Sequence, residues 1–215
     1  MAEPTEPTEP TTDAGAGPVN LRTSPLAHLE ERMRAAAVTG ARGVTLSEWP
    51  FVAMVNLRVV PASETAGRVE KTLGAPLPRR CGDTTDSGCH KVLWLGPDEW
   101  LVLSQADGHA VAAELREALA GDPGSAVDVS ANRTTLELRG PAARQVLEKG
   151  CPLDLHPRAF GPGRAVSTTV GPVAVLLWQV DDAPTYRLLP RSSFADYLAR
   201  WLIDAMGEYR GPELP

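Results

Sequence analysis

The stretch VLWLGPDEWLVL, residues 92–103, decides the fold class. Two apolar runs of four residues, 92–95 and 100–103, flank Gly96-Pro97-Asp98-Glu99. Proline fixes its own φ near the value that a turn needs, and an aspartate side chain can hydrogen-bond to the backbone two residues on. Aromatic and branched residues on both sides of such a turn are typical of paired strands. The stretch therefore predicts an antiparallel β-hairpin.

Strand and helix patterns alternate on both sides of this hairpin. Alternating or continuous apolar runs predict further strands at 44–48, 51–59, 127–129, 133–139, 165–170, 173–180 and 185–189. Capping residues or first-turn prolines predict helices that begin at Ser24, Ser63, Asp107, Pro141 and Ser193. The polar segment 76–88, rich in breaker residues, predicts a loop that separates two structured halves. The order predicts an α+β protein of antiparallel sheets with helices packed on them, in tandem ferredoxin-like halves.

The pattern makes two further predictions, one for strand pairing and one for the last helix. The strands 44–48 and 51–59 are close in sequence, which predicts that they pair with each other. In the last helix, Ser193 and Asp196 have the spacing of a capping box. Residues at helical spacing in that helix are predicted to face inward: Phe194, Tyr197, Leu198, Trp201, Leu202 and Ala205.

Composition divides the chain into three parts. Residues 1–20 repeat Glu-Pro three times and continue as Ala-Gly-Ala-Gly-Pro. They offer almost no side chain to bury, so they predict a disordered, acidic, proline-rich tail. Residues 21–208 predict a single α+β domain, which could divide near 76–90, and residues 209–215 predict a short C-terminal tail.

Charge and hydropathy exclude several classes of protein. The 215 residues carry a net charge of -6 and no basic cluster of the kind that binds phosphate backbones. Apolar runs such as 173–178 are far shorter than the roughly 20 residues that span a bilayer. The first residues lack the basic start and apolar stretch of a secretory signal, and three cysteines are too few for a secreted disulfide framework. These features predict a cytoplasmic protein that binds neither nucleic acid nor membrane.

One polar loop holds the residues that could ligate a metal, Cys81, Cys89 and His90. Structural zinc sites present closely spaced ligand pairs, usually two of them. Here seven residues separate the two cysteines, and the sequence has no second pair. The spacing predicts ordinary loop residues with reduced thiols and no metal site.

Cys151 and His156 are the strongest candidates for a nucleophile and its base. Nearness in sequence does not establish side-chain geometry, and a lone cysteine is typically a small buried hydrophobe. His28 and His109 lie at positions where exposure to solvent on a helix accounts for them. The sequence predicts no catalytic residue.

The remaining features also fit structural roles. Asp181-Asp182 falls between two predicted strands and predicts a turn. Gly161-Pro162-Gly163 lacks the spacing and the following helix of a phosphate loop. The five tryptophans lie at core-compatible positions, which favours packing over stacking on a flat cofactor: Trp49, Trp94, Trp100, Trp178 and Trp201. The sequence predicts no cofactor-binding residue.

Three stretches together resemble the gamma subunit of heterotetrameric sarcosine oxidase. They are WLGPDEWL at 94–101, the segment 128–155 with Asp128-Val129-Ser130, Gly140-Pro141 and Gly150-Cys151-Pro152-Leu153-Asp154-Leu155, and RSSFADYLARWL at 191–202. The resemblance covers about residues 22–206. It implies a fold related to the folate-binding aminomethyltransferase of the glycine-cleavage system.

The resemblance also implies a function for the chain within a larger complex. That function is non-catalytic support for the assembly of alpha, beta and delta subunits. The complex would demethylate sarcosine oxidatively to glycine, with hydrogen peroxide and 5,10-methylenetetrahydrofolate as further products. FAD, FMN, NAD and tetrahydrofolate are then expected on the partner subunits and not on this chain.

The segment 128–154 also resembles the aminomethyltransferases directly, which leaves a second hypothesis, a stand-alone folate-binding protein. In that family a Gly-rich turn leads into acidic residues that help to activate the folate amine. This chain reads Gly171-Pro172-Val173-Ala174-Val175 at the corresponding place. An apolar side chain cannot accept a proton from an amine, so the resemblance implies that this chemistry is absent. Binding of tetrahydrofolate by the isolated chain would separate the two hypotheses.

Overall fold

The computed structural model describes residues 22–211, and the predicted tail over residues 1–20 lies outside them. The strands in this part of the chain are β1 (Thr45–Glu48), β2 (Ala53–Val59), β3 (Thr84–Asp86), β4 (His90–Gly96), β5 (Glu99–Ser104), β6 (Gly124–Asp128), β7 (Leu136–Arg139), β8 (Arg164–Val170), β9 (Val173–Asp181) and β10 (Thr185–Pro190). The α-helices are α1 (Glu30–Ala35), α2 (Glu64–Leu73), α3 (Gly108–Leu119), α4 (Ala143–Glu148) and α5 (Ala195–Met206). Short 3-10 helices cover Ala27–Leu29, Ser192–Phe194 and Gly207–Arg210.

The strands form two five-stranded antiparallel sheets. Sheet I has the order β3-β4-β5-β2-β6, and sheet II has the order β1-β7-β10-β9-β8. Without its edge strand β3, sheet I has the βαββαβ order of a ferredoxin-like unit. Sheet II instead joins the meander β8-β9-β10 to β7 and β1. The predicted α+β class of antiparallel sheets with helices packed on them is confirmed.

The predicted pairing of the first two strands is wrong. Strand β1 pairs with β7 in sheet II, whereas β2 pairs with β5 and β6 in sheet I. Between them the chain crosses from one sheet to the other through Trp49-Pro50-Phe51, and Phe51 has a left-handed φ of 59°. The alternation of apolar residues reveals which face of a strand is buried but not which strand lies beside it.

The two sheets pack face to face, and helices cover their outer faces. Helices α2 and α3 pack on sheet I, and α1, α4 and α5 pack on sheet II. A third apolar cluster lies between the sheets, and its buried members are Val52, Met54, Leu93, Leu101 and Leu103 on one side and Ala165, Leu176, Trp178 and Leu189 on the other. The order of layers is therefore helix, sheet, sheet, helix. Tyr209 is buried in the cluster on sheet II, so the packed body continues past residue 208.

The segment predicted as a separating loop, 76–88, contains strand β3 and contacts both sheets. While β3 pairs with β4, the neighbouring Asp83 forms an ion pair with Arg164 at 2.7 Å. The Ala165 N–H donates to the carbonyl of Gly82 at 2.9 Å. The segment thus ties sheet I to strand β8 of sheet II.

The predicted inward face of α5 is partly wrong. Leu198, Leu202 and Ala205 are buried, but Phe194 and Tyr197 are 52% and 51% exposed. The predicted capping box is also wrong, because within the described residues α5 begins without a side-chain cap. A 3-10 turn over Ser192–Phe194 precedes the helix and shifts its first turn, which changes the face that each residue presents. No helix within residues 22–211 combines the length and hydropathy needed to cross a membrane.

Candidate functional site

Both connections between the sheets run along one face of the molecule, which we call the crossover face. The outgoing connection is 49–52 and the returning one is 129–135. The Trp49 N–H donates to the carbonyl of Thr135 at 2.8 Å, and the Val129 N–H donates to the carbonyl of Met54 at 2.8 Å. These hydrogen bonds extend the β1–β7 and β2–β6 pairings into the two connections and hold the connections close to the sheets.

A cavity of about 240 Å³ opens on the crossover face, and we call it the crossover pocket. Its walls come from both connections, from the start of the described chain and from the turn before α5. The lining residues are Arg22, Thr23, Pro25, Trp49, Phe51, Val52, Met54, Ser130, Ala131, Arg133, Thr134, Thr135 and Ser192. Two of these lining residues are arginines. None of the lining residues within 22–211 is an aspartate or glutamate.

Arg133 is half-buried beside this pocket. Its Nη1 donates to the carbonyl of Leu189 at 2.8 Å. Desolvation by burial, followed by repulsion from Arg191, lowers the pKa of Arg133. Within residues 22–211, no carboxylate oxygen lies within 4.0 Å of this guanidinium. The neighbouring carboxylate of Glu48 instead accepts hydroxyl hydrogen bonds from Ser24 and Thr134, each at 2.5 Å.

Thr135 adds a second polar group to the pocket. The residue is only 1% exposed, and its hydroxyl has no hydrogen-bond partner within the described chain. Burying a hydroxyl without a partner costs free energy, so such groups are rare in native interiors. The pocket therefore combines a partly desolvated cation with an unused hydroxyl.

One wall of the pocket carries an exposed aromatic side chain, Phe51. Phe51 is 45% exposed, and the guanidinium of Arg22 lies 4.6 Å from its ring centroid. Ser192, which lines the pocket, begins the turn that leads to the exposed Phe194 and Tyr197. Exposed apolar groups around a polar pocket are typical of surfaces that bind another protein.

The three residues considered for a metal site have different environments. Cys81 and Cys89 are exposed free thiols, and His90 begins strand β4. No group of three or more His, Cys, Asp or Glu side chains within residues 22–211 is arranged to hold a metal ion. The Nδ1 atom of His90 is buried without a partner in the same range.

Cys151 and His156 each have other neighbours. Cys151 is buried, and its Sγ lies 3.9 Å from the hydroxyl oxygen of Thr168. The Nδ1 of His156 accepts from the Arg158 N–H at 3.2 Å, while Asp154 accepts from the His156 N–H at 2.9 Å. The imidazole therefore belongs to a local turn, and the structure does not bring it to the thiol as a base.

The other polar candidates take part in structural contacts. His28 Nε2 lies 2.7 Å from Asp196, which also accepts from Arg200 at 2.8 Å. These hydrogen bonds, the one from Arg200 first, lower the pKa of Asp196 to about 2. His109, in α3, lowers the pKa of Asp128 through its charge, although Ser130 contributes most. Asp181 accepts from the Thr185 N–H at 3.2 Å, which confirms the predicted turn between β9 and β10.

Several tryptophans are built into the packing. The Trp100 indole N–H donates to the carbonyl of Pro78 at 2.8 Å inside the core of sheet I. The guanidinium of Arg187 lies 3.8 Å from the Trp49 ring centroid and 5.1 Å from that of Trp178. Its Nε also donates to Glu137 at 3.0 Å. The preference for packing over cofactor stacking is consistent with these contacts.

The turn before strand β9 leads directly into apolar residues. Gly171 has a positive φ of 55°, and strand β9 starts immediately after Pro172. Val173 and Val175 are buried in the cluster on sheet II, while Ala174 is exposed. A proton acceptor is therefore missing from the start of β9.

Sequence reasoning missed the residues of the crossover pocket. Arg133 and Thr135 were assigned to a single strand, 133–139, but β7 begins only at Leu136. The available signal was the run Ser130-Ala131-Asn132, whose polar, turn-forming residues favour an irregular connection. The convergence of Phe51 and Arg133 could not be predicted, because they are 82 positions apart in the chain.

The fold defines a class before any particular family. Glycine-cleavage aminomethyltransferase T from Bartonella henselae has a TM-score of 0.61 with this chain at 16% identity, over 89% of this chain and 62% of that one. This similarity establishes an aminomethyltransferase-like fold and nothing more. The arrangement described above thus belongs to an α+β protein of that fold class with a pocketed crossover face.

Closer relatives identify the family. Residues 59–208 match the family model described as sarcosine oxidase, gamma subunit family. The sarcosine oxidase subunit gamma of Corynebacterium sp. (strain U-96) is 45% identical over 195 residues, which cover 90% of this chain and 94% of that protein. The corresponding subunit from Arthrobacter sp is 45% identical over 194 residues, with the same coverages. The chain belongs to the sarcosine oxidase gamma subunit family, as its sequence resemblance predicted.

A solved structure agrees with this assignment. One chain of the heterotetrameric sarcosine oxidase from Corynebacterium sp. U-96, in complex with pyrrole 2-carboxylate, has a TM-score of 0.87 with this protein. The two chains are 44% identical, and the match covers 91% of this chain and 100% of that one.

Proposed function

We propose that this chain is the non-catalytic gamma subunit of a heterotetrameric sarcosine oxidase and supports its assembly. The observation that carries the proposal is the close match over nearly the whole length of a gamma subunit, at 45% identity. The fold match to a chain of a heterotetrameric sarcosine oxidase supports the same conclusion. The partners are then the alpha, beta and delta subunits, and the complex works in the cytoplasm.

The chemistry of the complex is assigned to the partner subunits. Oxidation of sarcosine needs a hydride acceptor, and FAD, FMN and NAD are expected on those subunits. Tetrahydrofolate, which takes up the one-carbon unit, is expected there as well. In this chain the start of β9 is apolar, and Cys151 and His156 have separate neighbours. These arrangements favour a structural role.

Co-expression with the flavin-bearing subunits tests the proposal. We expect the chain to co-purify with them and to raise their melting temperature, because a ligand that binds only folded protein stabilises it. The chain alone is expected to be colourless and to form no peroxide with sarcosine. Failure to co-purify would contradict the proposal.

Substitutions then test whether the role is non-catalytic. We expect Asp154→Asn, Cys151→Ala and His156→Gln to leave the turnover of each assembled complex within about twofold of the unchanged protein. A tenfold or greater loss from any one of them, about 1.4 kcal/mol of activation free energy, with flavin content intact, would place this chain in the active site.

A stand-alone folate-binding protein remains the second candidate, favoured by the aminomethyltransferase-like fold. Titration of the isolated chain with tetrahydrofolate, monitored by calorimetry, separates this candidate from the assembly role. Saturable binding at a stoichiometry of one, in the absence of the other subunits, would support this candidate. No heat of binding at millimolar folate would eliminate it.

A further inference from the structure

The crossover pocket concentrates positive charge in a protein that is acidic overall. The chain carries a net charge of -6, yet Arg133 lies in the pocket wall and none of the lining residues in the described part of the chain is an aspartate or glutamate. Arg191 lies close enough to Arg133 to lower the pKa of Arg133 through repulsion. A locally positive pocket in a protein with a negative net charge indicates a site for an anionic group.

The polar groups of the pocket match the hydrogen-bonding needs of a carboxylate. Arginine presents several N–H donors in a planar fork, and Arg133 uses Nη1 on a backbone carbonyl, which leaves further donors. The Thr135 hydroxyl is buried without a partner within residues 22–211 and can donate one hydrogen bond. A carboxylate would compensate both the desolvated cation and the unused hydroxyl.

The surroundings of the pocket indicate a protein as the source of that carboxylate. Phe51, in the wall of the pocket, is 45% exposed, and Ser192, another lining residue, begins the turn that leads to the half-exposed Phe194. Phe51 has a left-handed φ of 59°, a backbone conformation that non-glycine residues rarely adopt. Aromatic residues around a pocket that holds a charged anchor are the usual composition of an interface hot spot.

We infer that the crossover pocket is a carboxylate-binding site, and that an acidic side chain of a neighbouring subunit occupies it in the assembled complex. Arg133 pairs with the carboxylate and Thr135 donates a hydrogen bond to it. Phe51 packs against the apolar residues that flank this carboxylate in the neighbouring subunit. This inference rests on the proposed function, because the neighbouring subunit is a member of the same complex.

Thr135→Val gives the sharpest test, because valine keeps the shape of threonine and removes only the hydroxyl. The hydroxyl has no partner in the described chain, so a purely structural role predicts unchanged or higher stability and unchanged assembly. We expect unchanged or higher thermal stability of the isolated subunit together with roughly tenfold weaker binding to the partner subunits.

Arg133→Met and Arg32→Met form a matched pair. Arg32 is exposed on α1 and does not line the pocket, and methionine has a helix propensity similar to that of arginine. We expect Arg133→Met to weaken binding about 10- to 100-fold and Arg32→Met to leave it unchanged. Binding is measured by titrating each labelled variant into the purified partner subunits.

The outcomes separate this inference from the function on which it rests. If the unchanged chain does not bind the partner subunits, the proposed function fails. If it binds, and Thr135→Val and Arg133→Met bind equally well, the carboxylate site alone is overturned. Acetate is the probe for a free ligand. If millimolar acetate raises the melting temperature of the unchanged chain but not that of the two variants, and partner binding is unaffected, the assignment of the carboxylate to a subunit is overturned.

Discussion

At the scale of single residues, Gly150 is constrained by a neighbour from a distant part of the chain. Gly150 lies two residues after the end of α4. In the structure, the Trp201 ring of α5 lies directly over it, so that an added Cβ would be 2.6 Å from Cζ2 and 2.7 Å from Cη2. The position thus needs glycine because of packing between α4 and α5.

We predict that Gly150→Ala lowers the free energy of unfolding by about 1–3 kcal/mol, because the Trp201 ring must move to make room. Thermal unfolding should show a decrease of about 2–4 °C for each kcal/mol. Gly207→Ala is the control, since a Cβ there has no neighbour within 4 Å and Gly207 has a helical φ of -57°. Equal melting temperatures for Gly150→Ala and the unchanged protein would contradict the role of Trp201.

Asp196 shows why some residue roles escape sequence reasoning. Its spacing from Ser193 predicted a capping box, which is a local interaction. The carboxylate instead pairs with Arg200 in the same helix and with His28, 168 positions away. Local spacing gives the candidates for a cap, but the tertiary partner decides which hydrogen bonds form.

At the scale of elements, the helix ends follow the sequence where the capping residue has no competing partner. The Ser63 hydroxyl accepts from the Ala66 N–H at 3.0 Å, and Gly74 ends α2 with a φ of 67°. Asp107 caps α3 in the same way, accepting from the Ala110 N–H at 3.1 Å. Both helices begin at the residues that their sequences predict, whereas the C-cap of α3 is Ala120, which has a left-handed φ of 50°.

We predict that Ser63→Ala costs about 1 kcal/mol of unfolding free energy, because it leaves the first turn of α2 without its side-chain acceptor. Ser193→Ala is the comparison, since the capping-box pattern would give it a similar cost. The structure gives α5 no side-chain cap within the described residues, so we expect a change below about 0.5 kcal/mol. Urea unfolding monitored by circular dichroism measures both. A cost of 1 kcal/mol for Ser193→Ala would restore the capping box.

The strands show how far local patterns can lead. The hairpin over 92–103 was predicted from its own residues, and so were the three strands between 165 and 189 and the turn at 181–182. Their partners are adjacent in sequence, and their turns carry Gly, Pro or Asp. The partner of β1 was not predicted, because β7 begins 91 positions after the start of β1. Pairing at that distance depends on the packing of both sheets.

At the scale of the whole molecule, the apolar layer between the sheets joins them. Leu93 from sheet I is fully buried there, in one cluster with Leu176 and Leu189 from sheet II. Both sheets thus bury one face against helices and the other against each other. The predicted single domain over residues 21–208 requires that this layer makes the sheets unfold together.

We predict that Leu93→Ala lowers the free energy of unfolding by about 2–5 kcal/mol, through lost burial and the cavity it leaves. Hydrogen exchange should then speed up equally in peptides from both sheets, since they share the layer. Val127→Ala, at an exposed position on β6, should change stability by less than about 0.5 kcal/mol. Faster exchange in sheet I alone would divide the chain into two domains.

The residues that line the crossover pocket could not be predicted as a site from the sequence. Each residue examined for catalysis or metal binding has a sequence context that indicates a turn, a loop or the core. The crossover pocket has no such context, because its walls come from segments around residues 22–25, 49–54, 130–135 and 192. A site assembled by two crossings between sheets is a property of the topology and not of any motif.

The nesting of sheet I within sheet II sets an order of events during synthesis. All five strands of sheet I lie between Ala53 and Asp128, whereas β1 precedes them and its partner β7 follows them. A ribosome therefore releases a complete set of strands for sheet I while β1 is still without a partner. Sheet II can close only after β7 has been synthesised, when every strand of sheet I is already available. The central segment, residues 53–128, is thus synthesised before the flanking strands β1 and β7 can pair.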